Sequence, residues 1–258
     1  MPRRSAVLLA LLLAIASCAR RHRPEAWTVA DATPCTGLTL GWPAPIDELR
    51  ELVGPGLEPA AGPAPGTGLV LVFVARCPGT TIDGEPTGPS VTAHTIVPIE
   101  APRESRGEPG RGAQGWITIP DTYAPEGSPV GALFRRHGFT VRSGTATLDL
   151  SSRGGAVVAH ATLTTRGGEI DATATFADSG RTLERVTGIV GPGAMSRGLV
   201  FGPERSRRLT GAVDHLTVRG TAPLDGIHLG AAQPAAALDT AFTWSFTFDP
   251  AVARTTRP

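Results

Sequence analysis

The feature that most constrains this chain is a series of short apolar segments separated by turn-forming residues, which fills most of the sequence after residue 139. In the segment 242–248, aromatic residues occupy every second position and Thr or Ser the positions between. This period of two is typical of a strand that buries one face. Turns at intervals of roughly ten residues indicate a β-sandwich or a β-barrel. The sequence therefore predicts a mainly β domain.

Two short helices are predicted beside these strands. One covers 46–53, where Ile46, Leu49 and Val53 share a helical face. The other follows the capping pair Ser128-Pro129 and runs to Gly138. Strands are predicted over 36–40, 69–75, 91–99, 116–119, 139–150, 156–165, 169–177, 182–190, 199–201, 212–219 and 241–248.

The chain divides into four parts. With no repeat and no internal linker, residues 35–250 are expected to form one domain, closed or partly closed, with an antiparallel barrel-like sheet. A flexible tail, 251–258, follows it. A signal peptide, 1–17, and a polar tether, 18–34, precede it.

The first segment carries the signs of export. Arg3 and Arg4 precede an apolar stretch, 6–16, that is too short to span a bilayer and suits a signal peptide. The stretch ends at Ile15-Ala16-Ser17-Cys18, which resembles a bacterial lipobox, so Cys18 is the expected lipidation site. The alternative is ordinary signal-peptide cleavage nearby. A lipid-anchored protein of the bacterial cell envelope, outside the cytoplasm, is the preferred interpretation.

If the thiol of Cys18 carries a lipid, one pair of cysteines remains, Cys35 and Cys77. In an oxidising compartment an even pair is expected to form a disulfide. The competing interpretation is two buried free thiols.

Composition excludes several functions. All 24 basic residues are Arg, and they nearly balance the 23 acidic residues, which argues against a nucleic-acid partner. The sequence contains no Lys, so no lysine nucleophile exists. The six His residues show no metal-ligand spacing, and no motif for a cofactor or a nucleophilic serine occurs. We therefore expect neither a metal nor a cofactor.

Four segments, in order, resemble the acetoacetate decarboxylase family. Segment 47–58 is similar to the family pattern D-x-L-R-x-x-V-P-x-x-L-E and leads into a buried strand. Pro98 ends the next strand as in the family. Segment 131–142 resembles the family's helix and lysine-bearing strand, and 213–218 resembles a late strand. The likeness covers roughly 45–240, and it implies a closed, barrel-like fold around a central cavity.

The resemblance also implies a lost activity. The family's Schiff-base lysine would fall at Val141 and its neighbouring lysine at Arg142. The family's cavity glutamates would fall at Thr92 and near Phe73, and its cavity arginine near Cys35, where no arginine stands. A guanidinium cannot form the imine that decarboxylation needs. The resemblance thus implies the fold and argues against acetoacetate decarboxylation.

Three functions remain open. The preferred one is a binding module whose cavity holds a small apolar or amphipathic ligand, with Phe73, Thr92, His94, Val141 and Arg142 as candidate cavity residues and no catalytic residue. An enzyme of different chemistry is an alternative, with His94 and Arg142 as an acid/base and oxyanion pair. In the plainer interpretation His94 is a hydrogen-bonded core residue, and the protein is a structural envelope lipoprotein. A homo-oligomer is compatible with each.

The lipid anchor gives the first prediction. Because the thiol of Cys18 is the expected attachment point, Cys18→Ala is expected to release the protein from membranes or leave it unprocessed. Metabolic labelling with palmitate and membrane fractionation measure this. Label that persists in the variant would contradict the assignment.

Overall fold

The computed structural model describes residues 28–101, 115–177, 179–191, 200–221, 224, 226–229 and 233–248. The predicted signal peptide, Cys18 and the tail 251–258 lie outside these ranges. No helix within them has the length and apolarity that a membrane crossing requires.

The described residues form two helices and twelve strands. The helices are α1 (Ile46–Val53) and α2 (Pro129–Arg136). The strands are β1 (Thr28–Pro45), β2 (Thr67–Cys77), β3 (Thr80–Ile82), β4 (Glu85–Pro86), β5 (Ser90–Ile99), β6 (Gly115–Ala124), β7 (Val141–Arg153), β8 (Ala156–Thr165), β9 (Gly168–Ala177), β10 (Arg181–Val190), β11 (Val200–Gly220) and β12 (Ala235–Phe248).

The mainly β fold is confirmed, and the differences lie at element boundaries. Strand β1 begins at Thr28 and pairs with β12, so ordered structure starts within the segment predicted to be a tether. The two strands predicted over 199–201 and 212–219 are one strand, β11. The short β3 and β4 lie between the strands predicted over 69–75 and 91–99.

Hydrogen bonds join the strands into a ring. From β11 the order runs through β9, β8, β7, β6, β5, β2 and β1, and β12 returns from β1 to β11. Strand β10 pairs with β11 and also, in parallel, with β6. Most pairs are antiparallel, but β6 and β7 are parallel, because α2 connects them. The result is a partly closed, barrel-like fold.

Strand β2 is buried on both faces, which explains its continuous apolar run. Val70, Val72 and Val74 point into the main core, where they meet the small and apolar residues of β7, β8 and β9. Leu71 and Phe73 point the other way, into a smaller cluster that includes residues of α2 and is called here the α2 core. The β2–β5–β6 region thus separates two apolar compartments.

Helix α2 covers the second compartment. The Ser128 hydroxyl accepts a hydrogen bond from the Gly131 N–H at 3.3 Å, which caps the helix as the sequence predicts. Leu133 and Phe134 are buried in the α2 core. A Cβ atom at Gly131 would lie 3.1 Å from the Cβ of Ala124, so glycine lets the helix approach β6 closely.

A disulfide joins Cys35 of β1 to Cys77 of β2, with the two Cα atoms 4.2 Å apart. Both residues are buried, and they pack with Ala32, Phe242 and the ring of Phe73. The bridge therefore fastens the end of the β1–β2 pair beside the α2 core.

The disulfide gives the second prediction. It closes a loop with a sequence separation of 42 residues, which the chain-entropy model converts to about 4 kcal/mol of stability. Reduction, or the double change Cys35→Ser and Cys77→Ser, is expected to lower the free energy of unfolding by that order in a urea titration. Quantitative alkylation of both thiols in unreduced, unfolded protein would contradict the bridge.

Candidate functional site

A cavity of about 60 Å³ lies between the β2–β5–β6 sheet and α2. Its walls are mainly apolar. Three phenylalanines contribute to it, Phe73, Phe134 and Phe242. Isoleucine side chains from three strands close other sides, at positions 96, 117, 119 and 189. Because protein interiors have few voids larger than a water molecule, this space is unusual for a core.

His94 is the one imidazole among the described residues that line the cavity. Its Nε2 atom lies 3.2 Å from the Thr92 hydroxyl, and its Nδ1 atom lies 3.1 Å from the Thr122 hydroxyl. The residue is only 8% exposed, and burial lowers its pKa from 6.5 to about 4. At neutral pH the ring is therefore uncharged, with both nitrogens held by hydroxyl groups.

A bulge in β6 creates this arrangement. Between Thr95 and Val97 of β5, the pairing advances by three residues on β6, from Asp121 to Thr118. The extra residue changes which face the later side chains occupy, as bulges commonly do. Ile119 and Thr122 are three residues apart, yet the bulge places both of them on the cavity side. Thr122 therefore reaches His94.

Aromatic rings surround His94. The Phe134 ring lies 5.3 Å from the imidazole between centroids, and the Phe73 ring lies 6.4 Å away in a stacked arrangement. Phe242 meets Phe73 edge to face at 6.1 Å. These distances suit aromatic pairs. The rings come from β2, α2 and β12, so the wall assembles only when three distant parts of the chain meet.

The polar wall of the cavity belongs to one strand. Ser90, Thr92 and His94 alternate along β5 and all line the space. The Ser90 hydroxyl lies 3.1 Å from the Thr80 hydroxyl. Cys77 of the disulfide lines the cavity near Ser90, its register partner.

The structure divides the five predicted cavity residues. Phe73, Thr92 and His94 line the space. Val141 is half-buried and packs against the α2 core, but it is not among the residues that line the cavity. Arg142 is not among the described residues that line the cavity: its side chain is 58% exposed, and its Nε donates to Asp121 at 2.6 Å. Asp121 is the register partner of Thr95, and the side chain of Thr95 lies on the face of β5 opposite that of His94.

This opposite face carries a polar cluster that the sequence did not reveal. Tyr123 is buried beside Asp121, and burial together with the Asp121 charge raises the pKa of the phenol. The parallel pairing of β6 and β7 sets Arg142 next to Tyr123. The face of Arg142 depends on this pairing and on the β6 bulge, so spacing alone could not place it. Arg142 thus contacts Asp121, whereas His94 contacts Thr92 and Thr122.

The described residues contain no group of three His, Cys, Asp or Glu side chains placed to hold a metal ion. The cavity offers instead a neutral imidazole, two hydroxyl groups and aromatic surface. Such groups can bind a small molecule by burial and hydrogen bonds.

Comparison with known proteins supports the fold. No family model and no curated protein matches the sequence. Among solved structures, an acetoacetate decarboxylase-like enzyme from Sphingomonas wittichii RW1 is similar, with a TM-score of 0.57, 14% identity and coverage of 87% of this chain and 91% of that one. The enduracididine biosynthesis enzyme MppR has a TM-score of 0.52, 14% identity and 88% coverage of each chain. Acetoacetate decarboxylase from Legionella pneumophila subsp. pneumophila str. Philadelphia 1 has a TM-score of 0.52, 14% identity and coverage of 85% and 84%.

These likenesses show the acetoacetate decarboxylase-like fold over most of the chain, which confirms the fold that the sequence resemblance implied. At 14% identity they show the fold alone.

The buried imidazole gives the third prediction. The unfolded chain takes up this proton near pH 6.5, and the native protein only near pH 4. Between these values the unfolded state binds more protons, so the free energy of unfolding falls as the pH falls, by about 3 kcal/mol in total from this group. Denaturant titrations from pH 7.5 to 4 measure the loss.

His94→Gln is expected to remove this part of the pH dependence. The matched control is His215→Gln at an exposed position of β11, which leaves the His94 contribution in place. Equal pH dependence in His94→Gln and the unaltered protein would contradict a buried neutral His94.

Proposed function

Starting from this fold and a sequence without lysine, we propose that the protein binds a small apolar or amphipathic ligand in the cavity and does not decarboxylate acetoacetate. The observation that carries the proposal is the open space among the Phe73, Phe134 and Phe242 rings beside a neutral His94. Burial of apolar ligand surface against such walls is favourable, and His94 and Thr92 supply orientation.

The region around Val141 supports the loss of imine chemistry. Val141 occupies the position where the family resemblance expects the reactive lysine, and its side chain packs beside Gly131 of α2. Arg142 forms its ion pair with Asp121 away from the cavity. No amine is available in this sequence to form a Schiff base.

The cavity also favours binding over a purely structural role. A structural protein gains from a filled core, because voids cost packing energy. Here aromatic side chains on three elements leave a space of about 60 Å³ between them. Retaining that void without an occupant would lower stability.

A lysine-independent enzyme is the second candidate, favoured by one observation. The Thr92 hydroxyl lies within hydrogen-bonding distance of a neutral imidazole whose other nitrogen is held by Thr122. That arrangement resembles a hydroxyl beside a positioned base. The low pKa of His94 makes it a weak base, so binding is the preferred function.

We further propose that the protein acts outside the cytoplasm, attached to a membrane of the bacterial envelope through lipidated Cys18. The charged and apolar pattern of residues 1–18 supports export. The Cys35–Cys77 disulfide supports an oxidising compartment.

The binding function gives the fourth prediction. Cyclopropane is an uncharged hydrocarbon small enough to probe this space. We expect it to shift the methyl NMR signals of Ile96, Ile117 and Ile119 in a saturable way, because these side chains line the cavity.

Ala75→Leu places extra side-chain volume in the cavity and is expected to weaken this binding at least tenfold, roughly the effect of one lost apolar contact. The matched control is Ala132→Leu on the exposed side of α2, which is expected to bind normally. Absence of saturable shifts in the unaltered protein, or equal binding by Ala75→Leu, would contradict the proposal.

A further inference from the structure

We infer that the cavity selects a small uncharged ligand with one hydrogen-bonding group, such as a short amide, alcohol or ketone, and rejects the matching carboxylate. This inference rests on the proposed binding function and specifies its ligand class. It is carried by the charge, the hydrogen-bonding groups and the size of the cavity.

The charge of the cavity walls is the first argument. Among the described residues that line the space, none is Arg, Asp or Glu. Arg76 alternates with the lining residues Ala75 and Cys77 and forms its ion pair with Asp149 on the other face of β2. A carboxylate in this cavity would lose its water without gaining a cation, which is strongly unfavourable.

His94 does not replace the missing cation. It is enclosed by the Phe73 and Phe134 rings, and its nitrogens are already within hydrogen-bonding distance of Thr92 and Thr122. Protonation of the His94 ring would place a charge in a buried position, which is unfavourable. The ligand therefore meets a neutral polar wall.

Thr92 is the group best placed to recognise a polar ligand atom. Thr92 lines the cavity, and its hydroxyl can take part in up to three hydrogen bonds as one donor and two acceptors, of which the bond to His94 uses one. A neutral ligand can therefore direct its polar atom toward Thr92 and its alkyl part toward the phenylalanine rings. Thr92 thus acts as a specificity-determining residue.

The size of the cavity limits the occupant. A volume of about 60 Å³ is well below the volume of about 150 Å³ at which an apolar cavity admits benzene. This admits a short-chain compound and excludes a drug-sized one.

Propanamide and propanoate test the inference, since they share shape and atom number and differ in charge at pH 7. Titrations followed by the isoleucine methyl signals of the cavity are expected to show saturable propanamide binding. Propanoate is expected to bind at least about a hundredfold more weakly, because its charge would be buried unpaired.

A variant pair tests the role of Thr92. Thr92→Val keeps the side-chain shape and removes the hydroxyl, so it is expected to lower the ratio of propanamide to cyclopropane affinity about tenfold. Thr147→Val removes a hydroxyl that pairs with Thr162 on an exposed part of β7, and it is expected to leave the ratio unchanged.

The outcomes separate the two proposals. Propanoate binding as tight as propanamide would overturn the inference, while cyclopropane binding would still support the proposed function. An unchanged affinity ratio in Thr92→Val would overturn the assignment of Thr92. If neither propanamide nor cyclopropane binds, both the inference and the proposed function fall.

Discussion

The structure depends on a sheet region that is buried on both faces. Because β2 is covered by the main core on one side and by the α2 core on the other, its backbone hydrogen bonds must be satisfied within the sheet. Every polar side chain of the neighbouring β5 and β6 must also find a partner. His94 meets Thr92 and Thr122 on one face, and Asp121 meets Arg142 at the other. The β6 bulge assigns these residues to their faces.

This partition gives the site its chemical character. The face toward α2 holds neutral hydroxyls, a neutral imidazole and aromatic rings, whereas the ion pair lies behind the sheet. An acetoacetate decarboxylase-like fold can therefore keep a cavity without the amine that imine chemistry needs. The fold supplies the space, and the side chains at its walls set its chemistry.

Sequence patterns predicted the elements whose burial is visible locally. The apolar run of β2 is an example. The middle of β11 was not predicted as a strand, because a segment rich in arginine is typical of an exposed loop. In the structure, Arg208 and Ser206 bind Asp239, which is buried on β12. The family resemblance pointed to Thr92 and the neighbourhood of Phe73, and strand alternation placed His94 on the same face as Thr92. The roles of Phe134 and Phe242, and the outward direction of Arg142, depend on long-range packing and on strand register.

The proposed function requires that the space beside His94 is open to a ligand. A crystal structure of the protein determined under xenon pressure can show whether it is, since xenon enters apolar cavities and is visible by its anomalous scattering. We predict a xenon atom in contact with Phe73, Phe134 and the isoleucines of the α2 core. Rings of Phe73, Phe134 and Phe242 packed against one another, with no xenon between them, would contradict the account.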